Sequence, residues 1–424
     1  MNTGSFIYQN LETIPSNWEI SRYKYHIKIK NGFPFKSDFF DLDEGFPLIR
    51  IRDIKSGKIK TFYKGHFSEE FIIKKDDLII GMDGDFNLRW WEGPDALLNQ
   101  RCCQILECKT FDLRFLYYLL PHQLKIINDI TYFTTVKHLS IFDIYEQSVL
   151  IPPINEQKLI SQYLDKKTQI IDSLIEKIEI KVELLKEQKT ALINQYVTKG
   201  LDPNLEMTDS GVEWIGEIPK KWIFGKLRWF INDIKDGTHG SYASEEEGEL
   251  LLSGKNVDNG FLKIKDNERR ISKESHLEIT KNGFPKKGDV LVSCVGSIGR
   301  SCVYELDETI SFQRSVCFIR PSEKLNSYFL SYLVRSRTCQ EQLITLTNQS
   351  TVGGVYMSDI QDLLITIPPL EEQKNIVKLL NLKFDDINLL INKNTKKIEL
   401  LKEYRQSLIF SVVTGKIRIT QDMI

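Results

Sequence analysis

The sequence predicts an α+β protein built twice: two similar globular α/β domains separated by two long antiparallel coiled-coil helices, forming a pseudo-twofold internal repeat. Three observations predict it. First, IPPINEQK (Ile151–Lys158), closing in KVELLKEQKTALINQYVT (Lys181–Thr198), recurs without a gap as IPPLEEQK (Ile367–Lys374), closing in KIELLKEYRQSLIFSVVT (Lys397–Thr414). A repeat of that length means one structural unit was duplicated. Second, both copies carry heptads. Leu164, Ile171, Ile178, Leu185 and Leu192 form one apolar stripe, and Ile175, Val182 and Tyr196 a second; Leu380, Ile387, Leu401 and Leu408 answer the first, Phe384, Ile391, Ile398 and Val412 the other. Apolar residues at that period, with Lys and Glu between them, are the coiled-coil pattern. Third, the regions before the two helices resemble each other more faintly.

Taken in order, the divisions are 1–150, a first domain; 151–200, a first helix; 201–366, a second domain; and 367–424, a second helix. Tandem prolines (Pro152–Pro153, Pro368–Pro369) restrict the chain to extended geometry before each helix, and Gly200 and Gly415 suit its end. A helix of about 45 residues is about 65 Å long. Across the domains, IPSNW (Ile14–Trp18) is answered by IPKKW (Ile218–Trp222), and KKDDLIIGMDG (Lys74–Gly84) by KKGDVLVSCVG (Lys286–Gly296). NQRCCQI (Asn99–Ile105) is answered by FQRSVCF (Phe312–Phe318), and TTVKHLSIFDI (Thr134–Ile144) by STVGGVYMSDI (Ser350–Ile360). LIIGMDG and VLVSCVGSIG read as strands entering tight turns, FLYYLLPHQLKIIND and FLSYLVRSRTCQEQL as amphipathic helices. Asn394 stands on the stripe where the first helix has Ile178, which suits either an exposed position or a polar residue fixing helix register.

Composition bounds the function. The 424 residues carry 57 basic and 58 acidic side chains, so bulk charge points to no polyanionic partner, although the field that matters is local to a face. Seven cysteines without a CxxC pair suit a reduced, cytoplasmic chain. No basic-then-apolar leader and no apolar run near 18 residues is present. No GxGxxG marks a dinucleotide site, and no HExxH or His cluster a metal site. The Pro–Pro pairs are flanked by Ile or Leu, so they lead helices rather than grip a flipped adenine. GELLLSGKN (Gly248–Asn256) misses the phosphate-loop spacing and its Ser or Thr. Pro94, Asp95, Glu107 and Lys109 fit a nuclease core only loosely.

The paired PPxxEQ helix segments, DGTHGS (Asp236–Ser241), GDVLVSCVGSIGR (Gly288–Arg300), FQRSVCFIRP (Phe312–Pro321) and STVGGVYMSDI occur in an order that covers nearly the whole chain. In this the chain resembles the specificity subunit of type I restriction–modification systems. The resemblance implies that each domain is a target recognition domain reading one half of a bipartite, asymmetric site on double-stranded DNA. The helices would set the gap and dock two methyltransferase subunits, which recruit two restriction subunits. It implies no cofactor on this chain: S-adenosylmethionine would belong to the methyltransferase, ATP and Mg²⁺ to the restriction subunit. The first domain lacks a DGTHGS-like loop and a GSIGR turn; its counterparts lie near Lys30–Ser37 and in GMDGDFN.

DNA recognition needs cations for phosphates and fixed donor patterns for base edges. The first domain offers Arg50, Arg52, Lys55, Lys58 and Lys60 on an alternating segment, with Arg101 and Lys137 beyond it. The second offers Lys255, Asn256, Lys263, Lys265, Arg269 and Arg270, and Ser297 and Arg300 in its glycine turn. Asp236, Thr238, His239 and Ser241 form a donor-rich loop, or else only an Asx-type turn. Gln313 and Arg314, like Gln100 and Arg101, are expected in strand-like segments. Glu156, Gln157, Glu372 and Gln373 are expected on outward helix faces, to be covered by partner subunits. A non-catalytic protein-interaction rod is the alternative from another class.

Overall fold

A computed structural model describes residues 15–106, 109–130, 138–213, 215–281, 283–348 and 353–424. The chain forms two compact units, Met1–Ile178 with Lys396–Ile424 (unit 1) and Glu179–Thr395 (unit 2), so each unit owns one domain and half of each long helix.

In unit 1 the central sheet is four antiparallel strands, ordered Lys28–Asn31, Cys102–Leu106, Leu78–Gly81, Leu88–Trp90. Leu78–Gly81 is buried throughout. That explains a run of apolar residues without alternation, because both faces are covered. A five-stranded mixed sheet stands beside it, with Phe46–Ile49 parallel to Ala96–Leu98. Helices α1 (Ile51–Ser56), α2 (Leu113–Ile130) and α3 (Ile141–Tyr145) follow. The pair Glu19–Arg22 and Ser148–Ile151 closes the domain where the first long helix, α4 (Ile154–Lys199), begins.

Unit 2 repeats this plan. Its four-stranded sheet is ordered Ile231–Asp236, Val316–Pro321, Val290–Ser293, Ser301–Val303, and Glu249–Leu252 runs parallel to Ser311–Phe312. The helices are α5 (Lys273–Lys281), α6 (Ser327–Val334), α7 (Arg337–Asn348), α8 (Met357–Gln361) and the second long helix, α9 (Leu370–Val413). FLSYLVRSRTCQEQL, expected as one helix, is two: Asn326 caps the first through Phe329 N–H, and Arg335 and Ser336 break it before α7. The six cysteines among the described residues are free and buried.

The heptad stripes are the seams of both cores. In unit 1, Leu164, Ile171 and Ile175 of α4 join Leu408 and Val412 of α9 in one cluster with Phe115 and Leu119. In unit 2, Leu185 joins Leu380, Phe384 and Ile387, but at the end of α4 the buried positions move one residue on, to Ile193 and Val197, leaving the expected Leu192 and Tyr196 only partly buried. The helices run antiparallel within each unit. Lys166 Nζ lies 2.5 Å from Ile424 O and Asp172 2.9 Å from Arg405 in unit 1. In unit 2 Lys189 meets Asn388, and Gly200 faces Glu372. Asn394 donates to Leu390 O of its own helix at 2.8 Å, so it fixes no register across the pair.

Two expectations for the helix starts are corrected. Gln157 and Gln373 are fully buried rather than outward-facing. Gln157 Oε1 accepts Asp112 N–H at 2.9 Å, while its amide donates to Thr110 O and Pro152 O. Gln373 does the same with Asn326 N–H, Lys324 O and Pro368 O. The first turn of each long helix lies against its domain, and the glutamine satisfies the backbone just ahead of α2 or α6. Glu156 and Glu372 are half-buried and also hold their own domains, through Asn17 Nδ2 and Trp222 Nε1 respectively. Removing either glutamine leaves one N–H and two carbonyls unpaired in a dry site, at a cost of about 1–3 kcal/mol. Gln157→Ala and Gln373→Ala are each expected to lower stability by about 2 kcal/mol in chemical denaturation, against about 1 kcal/mol or less for Glu156→Ala.

Candidate nucleic-acid interface

Each domain builds the same backbone frame at the end of its central sheet. In unit 1, Phe33 N–H donates to Leu98 O, Gln100 N–H to Phe33 O and Asn99 N–H to Ile49 O. In unit 2, Thr238 N–H donates to Phe312 O, Arg314 N–H to Thr238 O and Gln313 N–H to Leu252 O. The glycine before each, Gly32 or Gly237, packs so tightly on these carbonyls that a Cβ would come within 2.1 or 2.2 Å of one. Only glycine lets the chain pass there.

The frame corrects the sequence pairing by one residue. Met82 N–H donates to Arg101 O as Cys294 N–H does to Ser315 O. Arg101 therefore answers Ser315, and Gln100 answers Arg314; the shared QR dipeptide is out of register. These residues also lie in turns rather than strands, the strands starting only at Cys102 and Val316. Arg101 adopts φ 70°, a left-handed conformation that turns it out to solvent.

On this frame the two units display different chemistry. In unit 2, Asp236 ends its strand with Oδ2 2.7 Å from His239 Nε2. Thr238 Oγ1 accepts Gly240 N–H at 3.1 Å and lies 3.3 Å from Tyr242 OH, and Ser241 is exposed. The turn is thus made by the Thr238 hydroxyl rather than by an Asx-type bond from Asp236, and the loop presents a rim of donors. It borders a cavity of about 290 Å³ floored by Phe312, Phe318 and Ile279. Thr238 lines that cavity, whereas its counterpart Phe33 packs edge-on to Phe35, with ring centres 5.1 Å apart, and tilted to Phe71 at 4.8 Å, and stays 42% exposed. Beside Arg101, His138 Nδ1 lies 2.7 Å from Asp83 Oδ1, and Arg101 Nη1 lies 3.7 Å from the same oxygen. Sequence pattern alone singles out neither Phe33 nor His138 as a site residue; the Gly–Phe step after an alternating strand is the one signal for the first.

The other expected residues divide clearly. Arg50 to Lys60 is not an alternating strand: Asp53 Oδ2 accepts Arg50 N–H and turns the segment into α1. Arg50 stacks on the Phe40 ring at 5.4 Å and Arg52 donates to Thr61 Oγ1, while Lys55, Lys58 and Lys60 are exposed. Asn256 is buried, bonded to Ser253 N–H and Lys263 O, and so shapes its loop instead of facing a ligand. Lys255 pairs with Glu268 at 2.9 Å, Arg269 donates to Tyr242 O, and Arg270 to Gly248 O. Ser297 sits in the turn between Gly296 and Gly299, both at positive φ, and Arg300 follows it; the Ser293 hydroxyl bonds Ser297 O and Arg300 N–H and so ties the turn together. Gln313 is half-exposed and Arg314 exposed. Lys137, and Glu107 of the nuclease-like pattern, lie outside the described residues; Pro94 O accepts Trp91 Nε1–H. Among the described residues no helix is long and apolar enough to cross a membrane.

Comparison with known proteins places this geometry. The family model for the type I restriction modification DNA specificity domain matches twice, at residues 15–184 and 242–401. The chain is 31% identical over 402 residues to the type I restriction enzyme EcoBI specificity subunit of Escherichia coli, covering 92% of this chain and 84% of that one. It is 26% identical to the MjaVIII specificity subunit of Methanocaldococcus jannaschii, over 96% and 94% of the two chains. A solved chain from a study of assembly and conformational transition of the type I R-M system shares the fold. Its TM-score is 0.70 at 15% identity, over 96% of this chain and all of that one. With two matches to the family model, one over each domain and its adjoining helix segment, the chain belongs to the specificity subunits of type I restriction–modification systems.

Proposed function

We propose that this chain is the sequence-reading subunit of a DNA methylation and restriction complex. Each unit would read one half of a bipartite, asymmetric duplex site, and the long helices would set the distance between the halves. The observation that carries this reading is the shared frame with unlike side chains. Phe33, Gln100 and Arg101 stand where unit 2 has Thr238, Arg314 and Ser315. Arginine can take guanine bidentately, glutamine adenine, and an aromatic ring can rest on a thymine methyl. Two heads of one geometry and different chemistry suit two half-sites of different sequence. The interaction-rod alternative leaves that contrast without a use.

The chain would supply recognition, and its partners the chemistry: S-adenosylmethionine on two methyltransferase subunits, ATP and Mg²⁺ on two restriction subunits. Chromosomal and incoming DNA would place the complex in the cytoplasm. The docking faces are not the buried glutamines but exposed apolar side chains on the long helices. Unit 1 offers Ile170 and Leu174 with Leu400 and Tyr404; unit 2 offers Ile180 and Leu184 with Leu382 and Leu389. Exposed apolar stripes on otherwise charged helices are the surface a partner helix covers.

Methylome sequencing of cells coexpressing the chain with its methyltransferase tests the reading. N6-methyladenine is expected at a two-part motif only when this chain is present; the same methylation pattern without it would refute the role. Leu174→Glu with Leu400→Glu, and Leu184→Glu with Leu389→Glu, are each expected to release one methyltransferase copy, measured as complex mass. Full stoichiometry in both double variants would place the docking face elsewhere.

A further inference from the structure

Where each domain meets the long helices, the two units make matching contacts with one systematic exchange. In unit 1, Tyr118 OH donates to Asp165 Oδ1 at 2.6 Å and Arg114 lies 2.7 Å from the same oxygen. One heptad on, Arg405 pairs with Asp172 at 2.9 Å. In unit 2 the matching bonds run to amides: Tyr332 OH to Asn381 Oδ1, and Lys189 Nζ to Asn388 Oδ1 at 2.9 Å. Both aspartates are thus replaced by asparagines, while the cation facing the second is kept.

Unit 2 has Tyr328 where unit 1 has Arg114 and carries its second cation elsewhere. Arg335 stands where unit 1 has Pro121, its guanidinium 4.6 Å from the centre of the Tyr332 ring. Its Nε donates to Ser331 O at 3.0 Å and its side chain also hydrogen-bonds Tyr332, but it has no carboxylate partner among the described residues. Burial, and then the charge of Arg335, hold the Lys189 ammonium below its usual range. Asp258 attracts Lys189 from the loop nearby but forms an ion pair with neither cation, and Asp385 acts on Tyr332. Beyond that loop Lys263 and Lys265 are exposed beside exposed Phe261 and Ile264, without an ion pair among the described residues.

We propose that this cationic seam of unit 2 is a seat for the DNA backbone, in which Arg335 and Lys189 together hold a phosphodiester. The proposal rests on the DNA-recognition reading above. A guanidinium without a carboxylate partner can turn N–H donors to a phosphate's oxygens, and half-buried cations are screened less by salt than surface ones. Unit 1 lacks the seat because Asp165 and Asp172 already hold its cations. Binding energy from this contact is independent of sequence, so the two heads would contribute unequally to affinity while both specify bases.

The test uses the chain assembled with its methyltransferase, titrated with cognate and unrelated duplexes over a range of salt. Asn388→Asp sets a carboxylate against Lys189 as in unit 1, so it strengthens the helix pair rather than breaking it. It is expected to weaken both duplexes about 3- to 10-fold and to lower the slope of log K against log salt by about 1. Arg335→Gln with Lys189→Gln should lower the slope by about 2, and Asp172→Asn should raise affinity for both duplexes by freeing Arg405. The methylated motif should not change in any of them. An unchanged slope in Asn388→Asp, a loss confined to the cognate duplex, or loss of methyltransferase from the complex would each overturn the seat. A wild-type complex that binds neither duplex would overturn the recognition reading with it.

Discussion

A buried glutamine on the first turn of each long helix is the contact on which the architecture depends. Gln157 and Gln373 have no exposed surface, and each satisfies three backbone groups of the domain ahead of it. A helix start cannot leave buried N–H and C=O groups unpaired without a penalty comparable to a lost hydrogen bond. The proline pair fixes where the helix begins, and the glutamine fixes how the domain sits on it. Trp18 and Trp222 complete the same joint, packing against Gly415 and Gly200 at the helix ends. Both glycines have φ 76°, so each chain end turns in a conformation that side chains resist.

With the joint fixed, diversity moves to the opposite end of each sheet. The turn at 99–101 and the turn at 313–315 are held by the same backbone hydrogen bonds, which do not depend on the side chains they carry. A frame of that kind tolerates substitution at its exposed positions without loss of the fold. Unit 1 uses this freedom for an exposed phenylalanine and an outward arginine, unit 2 for a His–Asp pair above a cavity. Near-neutral overall charge is compatible with such local chemistry, because the field that matters is that of one face.

The duplication, the antiparallel helices and the α+β domains were legible because heptads and glycine-bounded strands are local patterns. The helix starts were not. Extending the heptad stripe outward puts Glu156 and Gln157 in solvent, but the domain wraps the first turn, and that burial comes from residues such as Asp112 that are distant in sequence. The one-residue slip at the turn before each of the strands starting at Cys102 and Val316 has a similar cause. QR occurs in both copies and invites alignment, while the hydrogen bonds that define the register join residues some 60 positions apart, as in Gln313 to Leu252. Arg50 to Lys60 alternated convincingly, yet one carboxylate, Asp53, capped the segment into a helix. The exchange of Asp172 for Asn388 is visible in the repeat, but it gains meaning only once Arg405 and Lys189 are seen opposite them.

The proposed role of the long helices, setting the gap between two half-sites, is tested most directly by changing their length. Inserting one heptad at the middle of α4 and a matching heptad into α9 adds about 10.5 Å to the paired helices. Methylome sequencing of cells carrying that variant is predicted to show both half-sites unchanged and the gap between them longer by about three base pairs. An unchanged gap, or an altered half-site with the gap preserved, would contradict the account.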